Sequence, residues 1–217
     1  MSFIAVVHDS YMVVNGIHYF RGGAESVFIG SYGEKRTPLT QQNYLEVQLD
    51  IPADKLKVNT VTIVDIDFSR SREADIKLNL KTADTSVSGT AAFNDLKTGK
   101  LKLVKLEMRP GDLTTAVNGL PAVLNNLRGY GLDARVAHQI FVVLEATLAQ
   151  TFAASASVSL SRSGTSQLKI TASGGTSGTS SVTLSAGTTF AYLLAKPDWD
   201  RGKKRIEKFT DDQHGLT

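Results

Sequence analysis

The chain contains no cysteine. This one absence removes disulfide staples, thiolate zinc sites, iron–sulfur clusters and a cysteine nucleophile, and it fits a reducing compartment. No apolar run approaches the roughly 20 residues a helix needs to cross a bilayer, which excludes a helical membrane protein. The segment Met1 to Asp9 has no basic region ahead of its apolar stretch and no small-residue cleavage site, and Ser2 stands where myristoylation requires glycine. A cytoplasmic monomer is therefore expected. Charge of one sign is almost cancelled, 24 basic residues against 21 acidic ones leaving +3. Crosslinks and metals are not needed for a core, because a chain of this length buries about 70% of its unfolded surface.

Catalytic vocabulary is equally thin. His8, His18, His138 and His214 fall in no metal-binding pairing, and the sequence has no HExxH, P-loop or GxSxG. Gly129 and Gly131, and Gly174, Gly175 and Gly178, do not supply a dinucleotide fingerprint between a strand and a helix. His138 reads as a helix-surface or core histidine, and Asp65 and Asp67 as solvated acids on one strand face. The chain is not read as an enzyme, and no cofactor, metal or catalytic residue is expected.

What is present is β patterning. Short strands at Ile4 to Val7, Tyr11 to Val14, Ile17 to Phe20 and Ser26 to Ile29 are separated by Asn15-Gly16 and Gly22-Gly23, and Asn-Gly marks a hairpin. Apolar positions 45, 47, 49 and 51 form one strand face, and Val58 to Phe68 continues in the same style. From Ala74 to Phe93 the chain alternates, Ala74, Ile76, Leu78 and Leu80 against Asp75, Lys77, Asn79 and Lys81, then Val87, Gly89, Ala91 and Phe93 after one phase slip. Lys100 to Arg109 returns with Leu101 and Leu103 flanking Lys102, which predicts a long amphipathic two-stranded element. A helical interval follows, with Asp112 as N-cap, Pro121 opening a second turn and Gly129 and Gly131 ending it. Asp133 to Phe152 is ambiguous: propensity favours helix up to about His138, while Ile140 to Leu144 favours a buried strand.

The cleanest period-2 signal is TFAASASVSLS, Thr151 to Ser161, with Phe152, Ala154, Ala156, Val158 and Leu160 on one face and mostly serine on the other. Leu168, Ile170 and Ala172 form a return strand, Gly174 to Ser181 reads as a flexible loop or linker, and Lys196 to Thr217 reads as a charged helical or disordered tail. Segments of this length and pattern span a bilayer when tilted, apolar side chains to lipid and polar ones to a lumen; an ordinary half-solvated sheet has the same pattern. Basic clusters at Lys97 to Lys105 and Arg201 to Lys208 read either as sites that attract phosphates or as solvated faces. Aromatic residues to stack on bases are not interleaved with either cluster, which favours an acidic membrane over nucleic acid.

SVTLSAGTTFAY, Ser181 to Tyr192, resembles the closing strands of the gasdermin pore-forming domain, and QIFVVLEA, Gln139 to Ala146, resembles the apolar strand that precedes the second membrane-inserting hairpin of that family. The order of elements is also similar from about Lys77 to Leu194. The resemblance implies an α+β fold with a twisted, mainly antiparallel sheet, a few helices and long amphipathic hairpins able to form an oligomeric membrane β-barrel. It implies a pore-forming domain over residues 1–195 and a charged tail, 196–217, as a regulatory or cleaved segment. It implies that Ile140 to Leu144 is strand, that Ala74 to Arg109 is a first insertion hairpin, and that Thr151 to Ala172, extending toward Leu184, is a second.

The implied lipid face is Ile76, Leu78, Leu80, Val87, Leu101, Leu103, Phe152, Ala154, Ala156, Val158, Leu160, Leu168 and Ile170. Lys77, Lys81, Lys97, Lys100, Lys102 and Lys105 are assigned to acidic headgroups or the lumen. The implied function is a bacterial cell-death effector in antiphage defence, which forms a large homo-oligomeric ring in the inner (plasma) membrane after an activating protease acts. Two departures stand out: no cysteine is available for N-terminal lipidation, and the segment after Leu194 is poor in apolar anchors. The alternative from another class is a non-enzymatic β-rich structural or assembly protein, such as a virion or injection-apparatus component.

Overall fold

The alternating apolar residues of the N-terminal third meet their partners in a β-barrel. The computed structural model describes residues 3–39, 41–78, 80–83, 89–162, 167–175 and 178–213. Strands β1 (Phe3–Val7), β2 (Tyr11–Val14) and β3 (Ile17–Phe20) form a meander whose β2–β3 turn is Asn15-Gly16, both residues at positive φ. β4 (Ser31–Arg36) and β5 (Tyr44–Asp50) form the next antiparallel pair. β6 (Thr60–Ile66) runs parallel to β1, the one parallel ladder in a sheet otherwise antiparallel among the described residues. Helices α1 (Glu73–Lys77) and α2 (Gly89–Thr98) separate β6 from its antiparallel neighbour β7 (Leu101–Glu107). Helices α3 (Pro110–Asn118) and α4 (Pro121–Gly129) lead to β8 (Ala134–Glu145), followed by α5 (Ala146–Ala153). β9 (Ser157–Arg162), β10 (Gln167–Gly175) and β11 (Gly178–Ser185) make a separate three-stranded sheet. β12 (Thr189–Trp199) and β13 (Ile206–Asp212) close the chain as a hairpin.

The barrel order is β12-β3-β2-β1-β6-β7-β8, and β8 pairs back onto β12 to seal it. β8 is buried from Ala134 to Leu144 because one edge carries β7 and β4 while the other carries β12, with layers covering both faces. The β3–β12 seam is the narrowest ladder, a single pair, Tyr192 with Phe20. It is fastened instead by the Tyr192 hydroxyl, which accepts from the Leu45 amide at 3.0 Å and donates to the Gly22 carbonyl at 2.6 Å. Burial pushes that phenol well above the ordinary tyrosine range.

Two apolar cores result. Residues from all seven barrel strands, among them Ala5, Met12, Tyr19, Val64, Leu103, Phe141 and Leu193, fill the interior, where Ile76, Leu80, Phe93 and Leu96 also pack. The second core lies outside the β7–β8–β12 wall, beneath α3, α4, α5 and the inner face of the three-stranded sheet. Each large side chain buried here contributes roughly 1.5–3 kcal/mol through removal from water.

The expected mixed α+β class with a mainly antiparallel sheet holds. Several local expectations do not. Ala74 to Phe93 is not one strand: it holds α1 and α2, and the barrel interior takes Ile76 and Phe93 from these helices and Leu80 from the irregular stretch between them; Val87 lies outside the described residues. Ser26 to Ile29 is not a strand: a short helical turn at Ala24–Ser26 is joined to β4 by the irregular residues 27–30. Asp112 is not the N-cap: Arg109 holds that place, and the Asp112 carboxylate accepts from the Asn59 side chain at 2.6 Å. The helix favoured up to His138 is strand β8, where cross-strand burial overrides propensity, in agreement with the strand implied for Ile140 to Leu144.

TFAASASVSLS is split between α5 and β9. The flexible stretch from Gly174 is largely β10 and β11, with 176 and 177 outside the described residues. The helical or disordered tail is instead, as far as residue 213, the end of β12, a turn and β13, anchored because Ile206 and Phe209 are buried and Asp212 meets Lys35 and Arg135; residues 214–217 lie outside the described residues.

Candidate membrane-active segments

Two segments carry the residues assigned to lipid. The first leaves β6, forms α1 and α2 and returns as β7 beside β6, with Thr60 opposite Glu107 and Val64 opposite Leu103. Its apolar side chains are turned inward: Ile76, Leu80, Leu101 and Leu103 are buried in the barrel interior, whereas Leu78 is 55% exposed. Residues 81–83 rejoin the barrel wall, where Thr82 bridges Val143 and the Ala83 amide donates to the Val143 carbonyl at 3.1 Å. α1 is tied to the end of β1 through Ser71, whose hydroxyl accepts from the Val7 amide at 2.9 Å.

The second segment follows β8. α5 places Phe152 in the outer core and leaves Ala154 exposed at its C-terminus, and Ala156 and Val158 follow as exposed and half-buried. In the three-stranded sheet the register sets Leu160, Ile170 and Val182 in one row and Leu168 opposite Leu184 in the next, all on the face toward the core. The opposite face carries Ser159, Thr171 and Ser181 in one row and Ser161, Lys169 and Thr183 in the next. Lys169 is the one charge in those rows. β11 pairs only with β10 among the described residues, so its outer edge is unpaired there.

The two segments meet across a groove of about 340 Å³, lined by Thr82, Ala83 and Leu101 of the first, Leu148, Val182 and Thr183 of the second, and the end of β8. Beside the groove the segments touch, the Ala146 amide at the start of α5 donating to the Lys100 carbonyl at 2.9 Å.

The six lysines are scattered. Lys77 pairs with Glu73 and stands 5.2 Å from the Phe93 ring centroid. Lys100 lies 3.4 Å from Asp95, and Lys102 lies 3.5 Å from Asp65. Lys105 shares the inward face with Leu103 and pairs with Glu107 at 2.5 Å. Lys81 and Lys97 are exposed, the Lys81 chain passing over Gly187. The sequence placed these cations in one functional class, and the structure does not gather them into one patch.

Polar groups inside the barrel form a cluster that periodicity did not reveal. The Tyr19 hydroxyl donates to Gln139 Oε1 at 3.2 Å, and burial together with the nearby Glu107 and Asp211 charges pushes its pKa well above the ordinary phenol range. His138 is a core histidine, as one of its two readings held, but on a strand; its Nδ1 is 3.3 Å from the Met108 carbonyl and its Nε2 is 3.1 Å from Asp211. Among the described residues no three His, Cys, Asp or Glu side chains converge as a metal site. No helix among them is long and apolar enough to cross a membrane, which leaves crossing by strands open.

No family model, curated protein or solved structure matches the chain significantly. The functional reading consequently rests on sequence resemblance and on the geometry of the two segments.

Proposed function

We propose that the chain is a gasdermin-like pore-forming effector whose two segments refold into membrane-spanning hairpins when protomers gather on an acidic bilayer. The observation that carries the reading is a conflict between period and conformation. Ala74 to Phe93 and Thr151 to Ser161 have the alternation of a strand, yet both are folded partly as short helices in the monomer. A sequence whose local preference disagrees with its fold has a second conformation within reach. The first segment also connects β6 and β7, already antiparallel neighbours, so unwinding α1 and α2 lengthens an existing hairpin and needs no new topology. In lipid the new strands require partners along both edges, which only a closed ring of protomers supplies. Insertion and oligomerisation are therefore one step. Proteolytic activation belongs to the same reading, with the exposed basic turn at 201–205 as the accessible place to cut.

Leu78 and Ala154 supply the test, because both are exposed in the monomer and both belong to the implied lipid face. Leu78→Asp and Ala154→Asp leave the melting temperature of the monomer within about 2 °C of the parent, as surface changes do. Each places a carboxylate on a lipid-facing position, at a cost of up to about 2–4 kcal/mol per strand near the midplane, multiplied around the ring. Dye release from acidic-lipid vesicles by the parent chain and its loss in both variants is the expected result; equal release by parent and variants overturns the reading.

A second reading, a non-enzymatic assembly protein, draws on the Ser/Thr face of the three-stranded sheet and the open β11 edge. Ordered tubes or particles formed without lipid would favour it.

A further inference from the structure

The inner face of the three-stranded sheet carries one charge among the described residues. The row that sets Leu168 opposite Leu184 continues to Arg162 at the end of β9, so this cation stands on the face turned toward the core. Its guanidinium carbon is 5.7 Å from the centroid of the Phe28 ring, and its Nη2 is 2.9 Å from Asp50 Oδ1 at the end of β5. The same carboxylate oxygen accepts from the Ser31 hydroxyl at 2.5 Å, and that hydroxyl accepts from the Phe28 amide at 2.8 Å. Ser31 is fully buried, so the acceptor is fixed from the barrel side. The Arg162 and Asp50 side chains are each 22% exposed, and solvent screens the pair far less than a surface one. Loss of either member leaves the other poorly compensated.

The chain enters this sheet at Ser157 from α5 and leaves it after Ser185 toward β12. The register places Ser157 opposite Ser173 and Ser185 opposite Gln167, at opposite ends of the sheet and on opposite edges. The covalent tethers therefore sit at diagonal corners and define an axis about which the sheet can swing. Of the two remaining corners, one is Arg162 and the other, at Gly178 and Thr179, is exposed. An isolated bridge between Val158 and Val58 pairs the β9 edge with the stretch after β5, and the groove of about 340 Å³ lies beside β11. The sheet is thus pinned along β9 and open along β11.

We propose that the Arg162–Asp50 ion pair is a clasp that holds the sheet of the second segment against the barrel and sets how often it lifts. The proposal deepens the pore-forming reading and rests on it for its consequence in membranes, whereas lifting is measurable in water. The apolar rows press the sheet down without direction, while the ion pair closes in one orientation only. Without the pair the sheet lifts more often by local opening, and the barrel stays intact.

The test uses the full chain and its lack of cysteine. Ala172→Cys, on the buried inner face, supplies a thiol that a maleimide reaches only when the sheet lifts; Ala5→Cys, inside the barrel, supplies one that reacts only on global opening. Asp50→Asn and Arg162→Gln are each expected to speed labelling at position 172 by about fivefold or more, and the double variant by no more than about twofold beyond the faster single. Labelling at position 5 stays within about twofold of the parent. Single effects that multiply in the double variant, or equal acceleration at positions 172 and 5, overturn the clasp. If Asp50→Asn does not fold, Arg162→Lys is set against Arg162→Gln: lysine keeps the charge and holds labelling within about twofold of the parent, and equal acceleration by both overturns the clasp. Dye release from acidic vesicles is followed in parallel with the thiol-free variants. Coupled labelling with no release from any chain sustains the clasp and removes the pore; release with uncoupled labelling does the reverse.

Discussion

At the scale of single residues, the positions assigned to lipid separate into those that hold the monomer together and those that do not. Leu160 and Phe152 are buried against the outer core, while Leu103 and Ile76 are sealed in the barrel interior. Leu160→Asp buries an unpaired carboxylate and is expected to destabilise the monomer by about 3 kcal/mol or more, seen as a large fall in the denaturation midpoint. A loss of dye release in that variant therefore reports unfolding, not membrane chemistry. Leu78 and Ala154 are free of this ambiguity because solvent already surrounds them. The same logic separates the lysines: Lys105 is engaged with Glu107 inside the barrel, whereas Lys97 is exposed on α2 and available to a headgroup without rearrangement.

At the scale of elements, the decisive ones are α1, α2 and α5. α2 contains Gly89, Thr90, Asn94, Asp95 and Thr98 within ten residues, a weak helix by composition, held by packing of Ala92, Phe93 and Leu96 into the barrel. Asn94 is exposed in its middle, so Asn94→Ala strengthens the helix by about 0.5 kcal/mol without touching the core. If the first segment must unwind before insertion, this variant melts slightly higher and releases dye roughly twofold more slowly; an unchanged rate together with a raised melting temperature indicates that α2 stays folded through the limiting step. β9 to β11 differ from α2 in that their strand pairing already exists; in the proposed insertion their inner rows of Leu, Ile and Val exchange a protein face for lipid.

At the scale of the whole molecule, the charge of +3 is small, so net attraction to an anionic surface is weak. Binding to acidic vesicles in a sedimentation assay is expected to fall several-fold between roughly 50 and 500 mM salt, where the screening length drops from about 14 to 4 Å. Salt-independent binding would place the affinity in the apolar segments instead. The barrel seam at β3–β12 and the groove between the two segments are the parts of the architecture least dependent on continuous ladders, and the groove lies beside the elements proposed to move.

Composition and periodicity alone determined much of this protein: an α+β chain, the N-terminal meander with its Asn-Gly turn, β5, β6 and β7, and the helical interval at 110–129. These were legible because neighbours in sequence decide them, through turn chemistry and one-sided burial. Where alternation was strongest, around Ala74 to Phe93 and Thr151 to Ser161, it fixed neither the backbone nor the whole buried set: Ile76, Leu80, Phe93, Phe152 and Leu160 are buried, while Ala74, Leu78, Ala91, Ala154 and Ala156 are exposed and Asp75 is buried. A closed barrel accepts inward side chains from a helix as readily as from a strand, and only the assembled wall fixes the choice. The burial of the Arg21 guanidinium against Phe190 and the ion pairs of Asp212 with Lys35 and Arg135 left no local mark. They arise from residues far apart in the chain that meet only once the barrel has closed.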